Sequence, residues 1–126
     1  MSTKIIRGKD KNGNIYYSDT PVKSYNATLT SLVASGYIKV IVAGRVVNIV
    51  INDLKVNTNI TTRQQIASGL PKPYDWGMFT VSTNSGGTIY PLLYIDIRGN
   101  LYIEGGTANV STNHRILGNY TYIESK

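Results

Sequence analysis

The sequence predicts an all-β fold, a two-sheet antiparallel β-sandwich of jelly-roll-like kind with little or no helix. Three observations carry that reading. Apolar and polar residues alternate with period two through much of the 126-residue chain, whereas helical spacing is nearly absent. Runs rich in Gly, Asn, Ser and Thr separate the alternating segments, as turns separate short strands. Tyrosine occurs ten times against one phenylalanine and one tryptophan, a bias that suits half-buried strands. The length fits a single soluble domain large enough to bury a hydrophobic core.

Residues 1–20 read as an N-terminal hairpin or attachment segment, and residues 21–126 as the sandwich domain. The stretch Asp10 to Tyr17 shares the pattern Asp-x-x-Gly-Asn-aliphatic-Tyr with Asp96 to Ile103, the same glycine turn launching a strand in each. Residues 18–26 are expected to be a loop. Between Tyr37 and Leu54, Ile38, Val40 and Val42 share one strand face, as do Val47, Ile49 and Ile51, with the Ala43–Gly44 turn between them. Thr61 to Ser68 is the best helical candidate, but it has too few apolar positions to pack a face. Pro71 and Pro73 stiffen the stretch from Leu70 to Trp76, which is expected to cross between the two sheets. Met78 to Ser82 reads as a short strand with Phe79 and Val81 inward, followed by a turn at Asn84–Gly87. Thr88 to Ile97 reads as one long strand with Ile89, Leu93, Ile95 and Ile97 on one face. Pro91 then requires an edge or a bulge. Arg98–Asn100 turns the chain into Leu101–Glu104, and Arg115 to Glu124 closes the domain with Ile116, Tyr120 and Tyr122 together.

The net charge of +6 fits either an anionic partner or a mildly basic, solvated surface. Beyond Lys4, Arg7, Lys9 and Lys11 the cations are scattered singly, so no nucleic-acid partner is expected. Without cysteine, disulfides and thiolate metal sites are excluded. No run approaches the ~20 apolar residues that span a bilayer, so membrane insertion is not expected. Met1 to Lys4 opens without an apolar run, so no secretory signal is expected.

Catalytic chemistry finds little support, and no enzyme, metal or cofactor is expected. His114, the single histidine, reads as a surface residue beside a turn, with no nucleophile or orienting acid placed around it. Asp10, Asn12 and Asn14 loosely resemble an alternating calcium loop, but the downstream glutamate is missing. Asp96 and Glu104 stand on strands that should pair and so could approach as a glycosidase acid pair does; solvated strand-end carboxylates are the plainer reading. No glycine stretch has a phosphate-loop pattern.

The aromatic residues are more informative. Tyr90 and Tyr94 fall on the face of their strand opposite Ile89, Leu93 and Ile95, and Tyr37 and Tyr102 also point outward. Tyr74, Asp75 and Trp76 lie together on the proline-stiffened stretch. Exposed aromatics beside Asp and Asn suit a sugar ring, whose apolar face packs on the π-face while its hydroxyls meet carboxylate or amide. Tyr74, Asp75, Trp76, Tyr90 and Tyr94 are therefore the candidate carbohydrate-binding residues. A subunit interface and a second buried sheet face are the other readings of the same side chains.

From about Gly36 onward the chain resembles the C-terminal head domains of tail fibre and baseplate proteins from phages of Gram-positive bacteria. The residues that carry the resemblance are Gly44 to Ile51, a Gly-Arg turn before an aliphatic strand; Ile66 to Tyr74, with Leu70-Pro71 and a following Pro-Tyr; the strand–glycine–strand hairpin Ile95 to Ile103; and the closing strand Gly118 to Ile123. The resemblance covers about two-thirds of the chain. It implies a β-sandwich head, usually trimeric, carried on a virion tail, which binds host cell-wall saccharide and contacts other tail proteins. The chain departs from that pattern in having no heptad or collagen-like shaft. A purely structural virion component, or a carbohydrate-binding module detached from a bacterial enzyme, would fit the same features. A homotrimer is expected, and the outward aliphatics Ile41, Val46 and Val50 would be covered by it.

Overall fold

A computed structural model describes residues 4–9, 12, 15–19, 21–105 and 109–125. Its backbone is organised around a hairpin of β5 (Val33–Ala43) and β6 (Val46–Val56), paired in the register Ile38↔Ile51, Val40↔Ile49 and Val42↔Val47. Because strand side chains alternate between faces, Ile38, Val40, Val47, Ile49 and Ile51 all fall on one side, and all are buried. Gly44 takes the left-handed φ of 64° that opens the two-residue connection. At the other end the register slips between Val33 and Tyr37. There Gly36 sits at φ 88°, and a Cβ on it would collide with the Asp53 carbonyl.

Strand β12 (Ile116–Ile123) pairs with the free side of β6, β3 (Val22–Asn26) with β5, and β9 (Ser82–Thr83) with β12. The first sheet therefore has the order β3-β5-β6-β12-β9. The second is built from β4 (Thr28–Leu29), β7 (Gln64–Ser68), β8 (Gly77–Thr80), β10 (Leu92–Ile95) and β11 (Leu101–Ile103), in the order β4-β7-β11-β10-β8. The molecule is an all-β sandwich of two five-stranded antiparallel sheets, without helix among the described residues. β8 and β9 belong to different sheets, and the buried Val81 between them marks the switch. The core lies between the sheets. Ile38, Ile49, Ile51 and Leu54 come from one side, and Ile66, Leu93, Ile95, Leu101 and Ile103 from the other. Each such side chain stabilises the fold by about 1.5–3 kcal/mol relative to exposure. β1 (Lys4–Lys9) and β2 (Ile15–Asp19) form a separate two-stranded sheet.

Several expectations from the sequence are corrected. The stretch expected as a loop at 18–26 contains β3, whose five residues are all exposed and so show no alternation. The weak helical candidate is instead strand β7, since Ile66 and Ala67 are buried by pairing with β11 and β4. The proline stretch does not cross between sheets: β7 before it and β8 after it belong to the same sheet. The long strand Thr88–Ile97 is only Leu92–Ile95. The Ile89 N–H bonds the Thr83 hydroxyl (3.0 Å) rather than a ladder carbonyl, and Pro91 has no N–H to offer. Ile97, expected inward, is 52% exposed. His114 is not a surface residue but is 7% exposed, and its Nδ1 accepts the Ser111 N–H at 2.8 Å. Asp10, Gly13 and Asn14, on which the first glycine-turn pattern and the calcium-loop comparison rest, lie outside the described residues.

Candidate functional site

The outer face of the second sheet is where the candidate aromatics converge. Cross-strand register sets Gln65 of β7, Tyr102 of β11, Tyr94 of β10 and Met78 of β8 in a row across four strands. Their neighbours Leu93, Ile95, Leu101, Ile103 and Phe79 point into the core, so the row must face outward. Tyr94 and Tyr102 stack with centroids 4.8 Å apart and planes 20° from parallel. Trp76, at the end of the proline stretch, leans on Tyr94 at 5.2 Å and 38°. Arg63, just before β7, places its guanidinium 4.3 Å from the Tyr94 ring centroid and pairs with Glu104.

Polar groups border the stack. Asp96 accepts the N–H groups of Arg98 and Asn100, each at 2.9 Å, and the Tyr102 hydroxyl at 3.2 Å. The Asn100 amide donates to Asp96 (3.2 Å), and its oxygen accepts from Gln65 Nε2 (3.3 Å). Burial works to raise the Asp96 carboxyl, but these hydrogen bonds outweigh it and hold the group below its ordinary value. Burial first, and then the Asp96 charge, push the Tyr102 hydroxyl upward. A carboxylate, two amides and a guanidinium therefore rim three packed rings, and the indole of Trp76 remains 58% exposed.

Not every candidate belongs to this cluster. Tyr94 lies on the outer face, as alternation requires, but Trp76 and Arg63 cover it to 7% exposure. Asp75 acts locally, accepting the Trp76 N–H at 2.8 Å and so fixing where the indole begins. Tyr74 turns away, with its hydroxyl bonded by Arg45 and its ring 5.3 Å from that guanidinium. Tyr90 is 66% exposed and stacks on no other ring among the described residues. Tyr102 was readable as outward from the apolar Leu101 and Ile103 that flank it. Arg63, Gln65 and Asn100 carried no such signal, because only tertiary pairing brings them to the row. The two carboxylates raised as an acid pair are engaged separately, Asp96 in its turn and Glu104 with Arg63. Among the described residues no group of three or more acidic, His or Cys side chains could hold a metal ion.

Fold and surface together define a β-sandwich with a solvent-facing aromatic patch on one sheet. No family model matches the sequence, and no curated protein matches it. Among solved structures the chain is similar to the head domain of phage bIL170, described in connection with a common fold for the receptor-binding domains of lactococcal phages. The TM-score is 0.66 at 12% identity, over 83% of this chain and 100% of that one. At that identity the likeness shows the fold.

Proposed function

We propose that this chain is the head domain of a phage tail tip or baseplate, and that it adheres to host cell-surface carbohydrate through the outer face of the second sheet. The exposed Trp76 indole, braced on the Tyr94–Tyr102 stack and rimmed by Asp96, Asn100, Gln65 and Arg63, is the observation that carries the saccharide reading. The phage reading draws support from the likeness to the bIL170 head. A ring held from below loses little freedom when a sugar packs on it, so the patch is suited to binding without rearrangement. On this reading the chain works in the virion tail, beside other tail proteins, as a homotrimer, and does no catalysis.

The test is adhesion of the purified chain to a panel of intact Gram-positive cell walls, and to the same walls after periodate oxidation of their sugars. Binding to at least one intact wall, abolished by oxidation, is expected. Binding that survives oxidation excludes carbohydrate as the ligand. Raising salt to ~1 M, where the screening length falls to ~3 Å, should weaken adhesion only slightly, because stacking and hydroxyl hydrogen bonds are short-ranged. A protein stripped from the wall by salt would instead be held by its net charge.

A further inference from the structure

A groove of about 350 Å³ opens beside β3, the edge strand of the first sheet, lined by Pro21, Lys23, Tyr25, Val42, Pro71 and Glu124. None of these residues takes part in the aromatic patch. The groove exists because β3 outruns its cover. Lys23 and Tyr25 pair with Val42 and Val40, the inward face of β5, yet every residue of β3 is exposed. The inner face of the first sheet is thus uncovered at this corner, and Pro71, from the 69–73 segment, contributes to the wall.

That wall is tied down at several points. The Tyr25 hydroxyl donates to the Gly69 carbonyl (3.1 Å), and the Tyr122 hydroxyl to the Pro71 carbonyl (2.7 Å). The Ser125 N–H and hydroxyl both donate to the Lys72 carbonyl, at 2.8 and 3.0 Å, and Pro73 bridges to Glu124. With two prolines in its lining the groove is preformed, and its size lies in the range of small-ligand sites. Its lining combines an aromatic residue, Tyr25, with a cationic one, Lys23, and an acidic one, Glu124. After burial, the charge of Glu124 helps to raise the Tyr25 hydroxyl.

We infer that this groove is a second saccharide site, one that packs a sugar ring on Tyr25 while Glu124 accepts and Lys23 donates hydrogen bonds to the ring hydroxyls. A carboxylate and an ammonium flanking an aromatic face match the alternating donor and acceptor character of vicinal hydroxyls. The inference rests on the saccharide reading above and adds a separate contact. Two weak sites on one head engage a repeating polymer more tightly than either alone, by effective concentration.

The test titrates the full chain with the methyl glycosides of glucose, galactose and N-acetylglucosamine. Amide NMR follows the groove, and fluorescence follows the patch, because Trp76 is the chain's only tryptophan. With at least one glycoside, saturable shifts at Lys23, Tyr25 and Val42 are expected in wild type and in Trp76→Ala alike. Lys23→Ala and Glu124→Gln, which alter only side chains and leave the backbone bonds of the wall in place, should remove those shifts while the Trp76 response persists. Three results would overturn the second site: no groove shifts with any glycoside, shifts that survive both groove substitutions, or shifts that vanish with Trp76→Ala. The first two leave the patch reading standing. Groove amides that ignore glycosides but move on dilution would assign the groove to a second copy of the chain and likewise reject a sugar there.

Discussion

At Asp96, burial works against ionisation, yet the hydrogen bonds from Asn100, Arg98 and Tyr102 hold the carboxyl below its ordinary value of 3.8. A group whose folded value is depressed adds stability above its unfolded value and loses it as pH falls through the folded one. The thermal midpoint should therefore decline as pH drops below about 4, and Asp96→Asn, which keeps the shape without the charge, should flatten that decline. Parallel pH curves for the two proteins would contradict this role. The site was partly legible at this scale. Alternation placed Tyr94 and Tyr102 on the outward face, and the Trp76 position followed from its proline-stiffened segment. What leans on Tyr94 was not legible, because Trp76 and Arg63 reach it from other elements. His114 misled for a related reason: its turn-like neighbours suggested solvent, while the loop folds its ring inward onto Ser111.

Among the elements, β5 and β6 were readable from sequence because each buries one face and exposes the other, so the pattern is printed in both. β3 was missed because it buries neither, and β10 was overextended because Thr83 and Pro91 end the ladder in ways alternation does not register. The bulge at Gly36 is the most demanding point of the central hairpin. Gly36→Ala must accommodate both a φ of 88° and a collision with the Asp53 carbonyl, and it should cost at least about 1–3 kcal/mol in chemical denaturation. An unchanged denaturation midpoint would show that the hairpin relaxes there. Leu101→Ala, at a fully buried core position of β11, should cost about 2–5 kcal/mol through lost burial and the cavity left behind. A loss near zero would mean that the two sheets close over the gap.

For the molecule as a whole, the two outer sheet faces differ. The second sheet carries the aromatic patch, whereas the first presents Val46 and Ile123, exposed and paired in register, with Ile41 and Val50 half-buried among Asn48, Thr121 and Asn119. A mixed face of that kind suits contact between copies, and light scattering coupled to gel filtration should report a trimer mass. A concentration-independent monomer would reject the homotrimer and leave the patch untouched. The overall class was legible because period two and turn composition constrain a sandwich directly. The assignment of strands to sheets was not, since the proline stretch looks like a crossover in sequence and is a same-sheet connection in space. Adhesion through the second sheet turns on one exposed ring, that of Trp76. On a cell wall that binds the wild-type chain, Trp76→Ala should abolish adhesion while the thermal midpoint stays nearly unchanged, because Trp76 lies on the surface rather than in the core. Undiminished adhesion of a folded Trp76→Ala protein would contradict a saccharide site on this patch, and unfolding would show that Trp76 holds the sheet together instead.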